Sequence, residues 1–125
     1  DNVTLFNMAS GLKHETVRYR KNTGRGTAPD AEGGIEVMTE SVDCMLDGKD
    51  VSIIKIDVEG SEMETIEGAE KTILSFRPRM FVAAYHRSDD LWKIPFQIKN
   101  IRDDYRIYLR KSPCIPAWEI NYFFV

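Results

Sequence analysis

"SIIKIDVEGSEMETIEGAE", residues 52–70, decides the fold class. An apolar run with Lys55 in its middle ends in Asp57-Val58-Glu59-Gly60, and a helix-like pattern starts at once. The near-continuous apolar character of residues 51–58 fits a central strand covered on both faces, as in a parallel sheet. Ser61 and Glu64 then have the spacing of a capping box. Met63, Ile66, Ala69 and Ile73 follow at three, three and four residues, the stripe of one amphipathic helix. Gly68 costs roughly 1 kcal/mol relative to alanine inside that helix, so close packing on the sheet is expected there. Two carboxylates, Asp57 and Glu59, thus stand where a buried strand runs out. A surface turn is the bland explanation; a site is the other.

Downstream, Pro78 ends the helix and "MFVAAY" at 80–85 reads as a second buried strand, finishing at His86. Ser88, Asp89 and Asp90 open another helix, because short acceptors and negative charge suit a helix N-terminus. Leu91, Ile94, Ile98 and Ile101 share a face of it, and Pro95 is expected to kink or restart it. "YRIYLRK" and "AWEINYFFV" alternate on either side of "SPCIP" and read as an antiparallel hairpin.

Upstream, residues 3–6 form a short β-branched apolar run, read as a strand that stops at the turn formers of "NMASG". "ETVRYR" alternates as a half-exposed strand, with "IEVM" at 35–38 as its hairpin partner. Between them "KNTGRGTAPDAEGG" lacks any apolar period and reads as a mobile loop. Its Gly24-Arg25-Gly26 has neither the strand before it nor the helix after it that a dinucleotide fingerprint requires. Ser41 is placed to cap a short helix through Leu46, closed near Gly48.

Composition narrows the class. The 125 residues allow one domain with a real core, and no internal repeat or second domain is visible. Apolar residues at 42% and charged residues at 30% exclude general disorder. A net charge of −3 without a basic block gives no reason to expect a nucleic-acid partner. No run approaches the ~20 apolar residues of a membrane helix, and no signal peptide is visible. Cys44 and Cys114 have no metal-ligand spacing and read as reduced thiols, which suits a cytoplasmic protein. The chain opens on "DNVTLFN" without an initiating methionine, as expected of a piece of something longer.

Strand, helix, strand, helix and hairpin give an α/β sheet with an antiparallel end. Ligands in open α/β sheets sit beyond the carboxyl ends of the strands. Asp57, Glu59 and His86 lie at two such ends. Lys55, Asp57 and Glu59 alternate onto one side if the strand stays regular, and a buried Lys55 would need a carboxylate partner.

"IKIDVEGSEMETIEGAEKTIL" resembles the segment that marks FkbM-type methyltransferases. The stretch "YHRSDDLWKIPFQIKNI…YRIYLRKS" and the closing "WEINYFFV" are similar to that family's C-terminal region, and "DNVTLFNMASG" to its third core strand and the following loop. The resemblance implies the Rossmann-like class I fold of S-adenosylmethionine-dependent methyltransferases, with strand order 3-2-1-4-5-7-6 and strand 7 antiparallel. This chain departs from the pattern. It has no strand leading into a glycine-rich turn and no second strand ending in a ribose-binding acid. Residues 1–125 therefore resemble strands 3 to 7, a partial domain without the glycine-rich cofactor half.

Carried over by position, Met8, Ala9 and Ser10 are the expected adenine contacts, and Asp57 lies where sulfonium and acceptor meet. Glu59 and His86 flank the acceptor cleft. The implied reaction is methylation of a hydroxyl on a small molecule or sugar in the intact protein, with S-adenosylmethionine as cofactor and this chain alone inactive. His86 suits a base, since an ordinary imidazole titrates near pH 6.5. The structural alternatives are a cap for Asp57, a helix-dipole contact for Glu59 and a fixed hydrogen bond for His86. Trp92 and Trp118 are expected to pack in the core or at an edge. The resemblance gives no firm metal requirement, and no metal ligands are assigned. A metal-dependent hydrolase using Asp57 and Glu59 is the rival from another class, weakened by the want of a third convergent ligand. A non-catalytic binding module is the third reading. An unpaired edge on the 51–58 strand would favour homo-oligomers; no nucleic acid or membrane partner is expected.

Overall fold

Among the described residues, seven strands divide between two sheets. A computed structural model describes residues 2–19, 30, 32, 34–113 and 119–125. The smaller sheet holds β1 (Ala9–Gly11), β2 (Glu15–Tyr19) and β3 (Ile35–Ser41) in the order β1-β3-β2, with β2 and β3 antiparallel as the alternation of "ETVRYR" foretells. α1 (Val42–Leu46) follows, and Ser41 caps it by accepting the Cys44 N–H at 3.2 Å. Asp47 and Gly48, both at positive φ, close the helix.

The second sheet has the order β4-β5-β7-β6 and builds the core. β4 (Ile53–Ile56) runs parallel to β5 (Arg79–Ala83). β7 (Ile120–Phe124) is antiparallel to both β5 and β6 (Ile107–Lys111). This is the 4-5-7-6 portion of the expected sheet, antiparallel strand included. The turn "SPCIP" between β6 and β7, with Cys114 and Trp118, falls mostly outside the described residues, as does Gly24-Arg25-Gly26. Cys44 is a free, exposed thiol.

Three expectations about elements change. Residues 3–6 are not a strand; the chain pairs only from Ala9, and Val3, Leu5 and Phe6 are exposed. A β-prone run without a cross-strand partner has nothing to hold it extended. Met8, Ala9 and Ser10 accordingly do not follow a strand: Ala9 and Ser10 lie within β1. β4 is not covered on both faces. It lies at the edge of its sheet among the described residues, with Ile53 55% exposed, and the burial expected of it falls instead on β5. Trp92, at 53% exposure, packs in no core.

The long helix after β4 is two: α2 (Glu62–Glu67) and α3 (Glu70–Phe76). Ser61 makes no side-chain cap. Glu62 rather than Glu64 reaches back, accepting the Val58 N–H at 3.1 Å. α3 is capped from a distance by Asp43 of α1, whose carboxylate takes the N–H groups of Lys71 and Thr72 and the Thr72 hydroxyl at 3.0, 2.8 and 2.7 Å. Gly68 sits at the break for the reason anticipated. A Cβ there would lie 2.1 Å from the Gly11 carbonyl oxygen, so β1 and the end of α2 touch backbone to backbone.

α4 (Asp90–Ile101) runs through Pro95 without ending. Proline offers no N–H to Leu91, four residues back. The Tyr122 hydroxyl of β7 donates to that Leu91 carbonyl instead, at 2.6 Å. Ile94 and Ile98 from α4 join Ile66, Ala69 and Ile73 over Ile56, Met80, Val82 and Phe124 of the sheet. Together they fix α2 and α4 above the carboxyl ends of β4 and β5.

Candidate functional site

Beyond Ile56 the chain leaves the sheet and turns sharply. Glu59 has φ 54 and Gly60 φ 99, both in the left-handed region. A non-glycine residue there costs of order 1 kcal/mol or more, and such strain gathers at functional sites. The turn also breaks the alternation expected of Lys55, Asp57 and Glu59, since β4 ends before Asp57. Lys55 is not buried: its side chain is 70% exposed while it pairs with Asp57 Oδ2 at 3.4 Å.

What the turn achieves is convergence on His86. That side chain follows β5 and is only 9% exposed. Its Nδ1 lies 2.7 Å from Oε1 of Glu62, which is fully buried. Its Nε2 lies 3.4 Å from Glu59 Oε2 and 3.8 Å from Asp57 Oδ1, yet is buried and makes no hydrogen bond. The Tyr85 hydroxyl donates to Asp57 Oδ1 at 3.1 Å. Burial, then the Asp57 charge and its hydrogen bond, push the Tyr85 phenol up to about 12, so it remains a donor. At the start of α4, Asp90 is buried and accepts the Arg87 N–H through Oδ2 at 2.8 Å. Burial chiefly raises its carboxyl, with a further push from the Glu62 charge against the lowering Arg87 hydrogen bond.

Asp57, Glu59 and His86 are therefore brought together from two strand ends, as the sequence implied. Glu62, Tyr85 and Asp90 belong to the same cluster and were not singled out. The signal for Glu62 lay in the quoted stretch, one residue after the presumed cap, where an acid reads as a helix-start charge. Met8, Ala9 and Ser10 lie elsewhere. The Ser10 hydroxyl bonds Thr65 at 3.1 Å, so the β1 segment and the His86 cluster are both anchored on α2, at Thr65 and Glu62, one turn apart.

A family model described as the methyltransferase FkbM domain matches residues 5–111. The chain belongs to the FkbM methyltransferase domain family. A crystal structure of methyltransferase FkbM from Methylobacillus flagellatus KT is similar over 98% of this chain, with a TM-score of 0.79 and 28% identity. The chain spans 28% of the length of that structure. No curated protein matches the sequence. Among the described residues, no helix is long and apolar enough to cross a membrane.

Proposed function

We propose that this FkbM domain segment is the acceptor side of an S-adenosylmethionine-dependent methyltransferase that methylates a hydroxyl of a small molecule or sugar. One observation carries the reading beyond the family: a buried imidazole, held at Nδ1 by Glu62, turns an uncommitted Nε2 toward Asp57 and Glu59 at the carboxyl ends of two strands.

The residues present suit the cofactor by charge. Asp57 and Glu59 offer half-exposed carboxylates that favour a cationic sulfonium nearby, and Asp57 would hold the cofactor's amino group or orient the acceptor. When bound, S-adenosylmethionine supplies an electrophilic methyl group. This chain's own residues do the rest: they position the hydroxyl in line and take its proton as oxygen bonds to carbon. A proton acceptor at Nε2 or on either carboxylate meets that need, and Glu62 fixes the imidazole ring so that it cannot turn away. Among the described residues no strand leads into a glycine-rich turn. The segment alone is accordingly expected to bind cofactor no tighter than about 1 mM.

The test supplies the full-length protein with methyl-labelled S-adenosylmethionine and a panel of sugars and polyols, and locates the label by NMR. Label in a methyl ether is the expected result. Label confined to nitrogen or carbon, or no transfer to any hydroxyl, overturns the proposal.

A further inference from the structure

We propose that Tyr85 is a positioning residue: its hydroxyl fixes the Asp57 carboxylate at Oδ1 while its ring lies against the His86 imidazole, so that one side chain sets the orientation of two site groups. Its bearing on turnover rests on the methyl-transfer reading, whereas its bearing on Asp57 does not.

Three observations carry the inference. The first is where the sheet stops. The β4–β5 register runs as far as Ile56 and Val82, and β4 ends there. Asp57 is the next residue, so strand pairing does not hold it, and its side chain is 37% exposed. A carboxylate in that setting rotates among staggered conformations unless another group arrests it. β5 continues to Ala83, and the Ala84 N–H still donates to the Ile120 carbonyl of β7 at 2.9 Å. Tyr85 thus starts from anchored backbone and reaches across to an unanchored side chain.

The second is the contrast between two partners of Asp57. Lys55 meets Oδ2 at 3.4 Å from a side chain that is 70% exposed, an ion pair that water and salt weaken. The Tyr85 hydroxyl makes a directed bond to Oδ1 at 3.1 Å, with a charged acceptor. That same oxygen lies 3.8 Å from His86 Nε2. Since the phenol is pushed up to about 12, the donor persists across the range in which an imidazole titrates.

The third is the ring. Adjacent side chains in a strand point to opposite faces. Tyr85 and His86 lie beyond the end of β5, and their rings come together instead, 4.1 Å between centroids at 47°. Glu62 holds the imidazole at Nδ1, 2.7 Å away, and the Tyr85 ring packs against it as well. The hydroxyl and the ring therefore have separable roles. Misplacement of a site group by about 1 Å costs on the order of a hundredfold in rate, so a restraint on Asp57 matters to turnover.

The experiment has two arms. In the chain without cofactor, three-bond NMR couplings to the Asp57 carboxylate carbon report its rotamer. Expected are one rotamer in the parent and averaged couplings in Tyr85→Phe, which keeps the ring. The ring-current shift of the His86 imidazole protons should survive in Tyr85→Phe and vanish in Tyr85→Leu. In the full-length protein, turnover is measured with methyl-labelled S-adenosylmethionine and the sugar or polyol that takes the label. Tyr85→Phe should lower kcat at least about tenfold. In an Asp57→Ala background, with no carboxylate to hold, the same change should cost less than about twofold, because the two residues act as one unit. A merely structural tyrosine would give losses that multiply. A single Asp57 rotamer in Tyr85→Phe overturns the proposal, as do multiplying losses. No transfer by the parent protein counts against the methyl-transfer reading alone, and the couplings then decide whether Tyr85 positions Asp57.

Discussion

Replacing Gly68 with alanine should unfold the contact on which α2 rests. The added Cβ would stand 2.1 Å from Gly11 O, 3.2 Å from Gly11 C and 3.2 Å from Ser41 Cβ. The first contact is too close by about 1 Å, because carbon and oxygen rarely approach within 3 Å. Neither neighbour yields alone, since Gly11 and Ser41 are register partners across β1 and β3. Overpacking of this kind costs about 1–3 kcal/mol, and a backbone target belongs at the upper end. Alanine recovers less than about 1 kcal/mol in helix propensity, because Gly68 is the C-cap and not an interior residue. The net loss is then about 2 kcal/mol, or a fall in Tm of roughly 8 °C for a domain of this size. Thermal unfolding followed by circular dichroism measures it. Gly34→Ala, where nothing lies within 4 Å of the added atom, is the control and should leave Tm unchanged. A Gly68→Ala protein as stable as the parent would refute the packing of β1 on α2 and, with it, the shared anchoring of the β1 segment and the cluster.

Two further outcomes test the surroundings of the site. In spectrophotometric titration at alkaline pH, one tyrosine should ionise near pH 12. The folded phenol is raised above its unfolded value, so its contribution to stability is intact below about pH 10 and is lost as pH rises to about 12. Asp57→Asn should shift that titration downward but not back to 10, because burial is the larger cause; an unmoved titration would deny the Tyr85–Asp57 contact. Tyr122→Phe removes the donor to the Leu91 carbonyl that Pro95 leaves unbonded, and should cost about 1–2 kcal/mol. Equal urea midpoints for the two proteins would show that the carbonyl finds another partner.

The parts of the fold written in local pattern were legible. Alternation gave β2, β3, β6 and β7, the apolar run at 80–85 gave β5, and Ser41 gave the α1 cap. What failed depended on partners the sequence does not name. Residues 3–6 had strand propensity but no neighbour, and Ser61 had capping spacing but a backbone at φ −108, ψ 25 and no side-chain cap. The strand at 51–58 looked doubly covered because its apolar content reports what it can bury, not what lies beside it. The site was half legible for the same reason. Asp57, Glu59 and His86 announced themselves at strand ends, a position with chemical meaning in any α/β sheet. Glu62 and Asp90 sit where helices begin, and acids there are ordinary on dipole grounds. Only the packing of α2 and α4 over the sheet shows that both are buried, Glu62 against the His86 imidazole and Asp90 within reach of the Glu62 charge.

The most direct measurement is turnover of Asp57→Asn in the full-length protein, with Tm recorded on the same preparation. The substitution keeps the size of the side chain and an oxygen for the Tyr85 hydroxyl while removing the charge that faces His86. Methyl transfer should fall at least tenfold, equivalent to about 1.4 kcal/mol of barrier. The Tm should move by no more than about 2 °C, as for a half-exposed position away from the core. Unchanged turnover, or a loss matched by unfolding, would return the carboxylates of "IKIDVEG" to a structural turn.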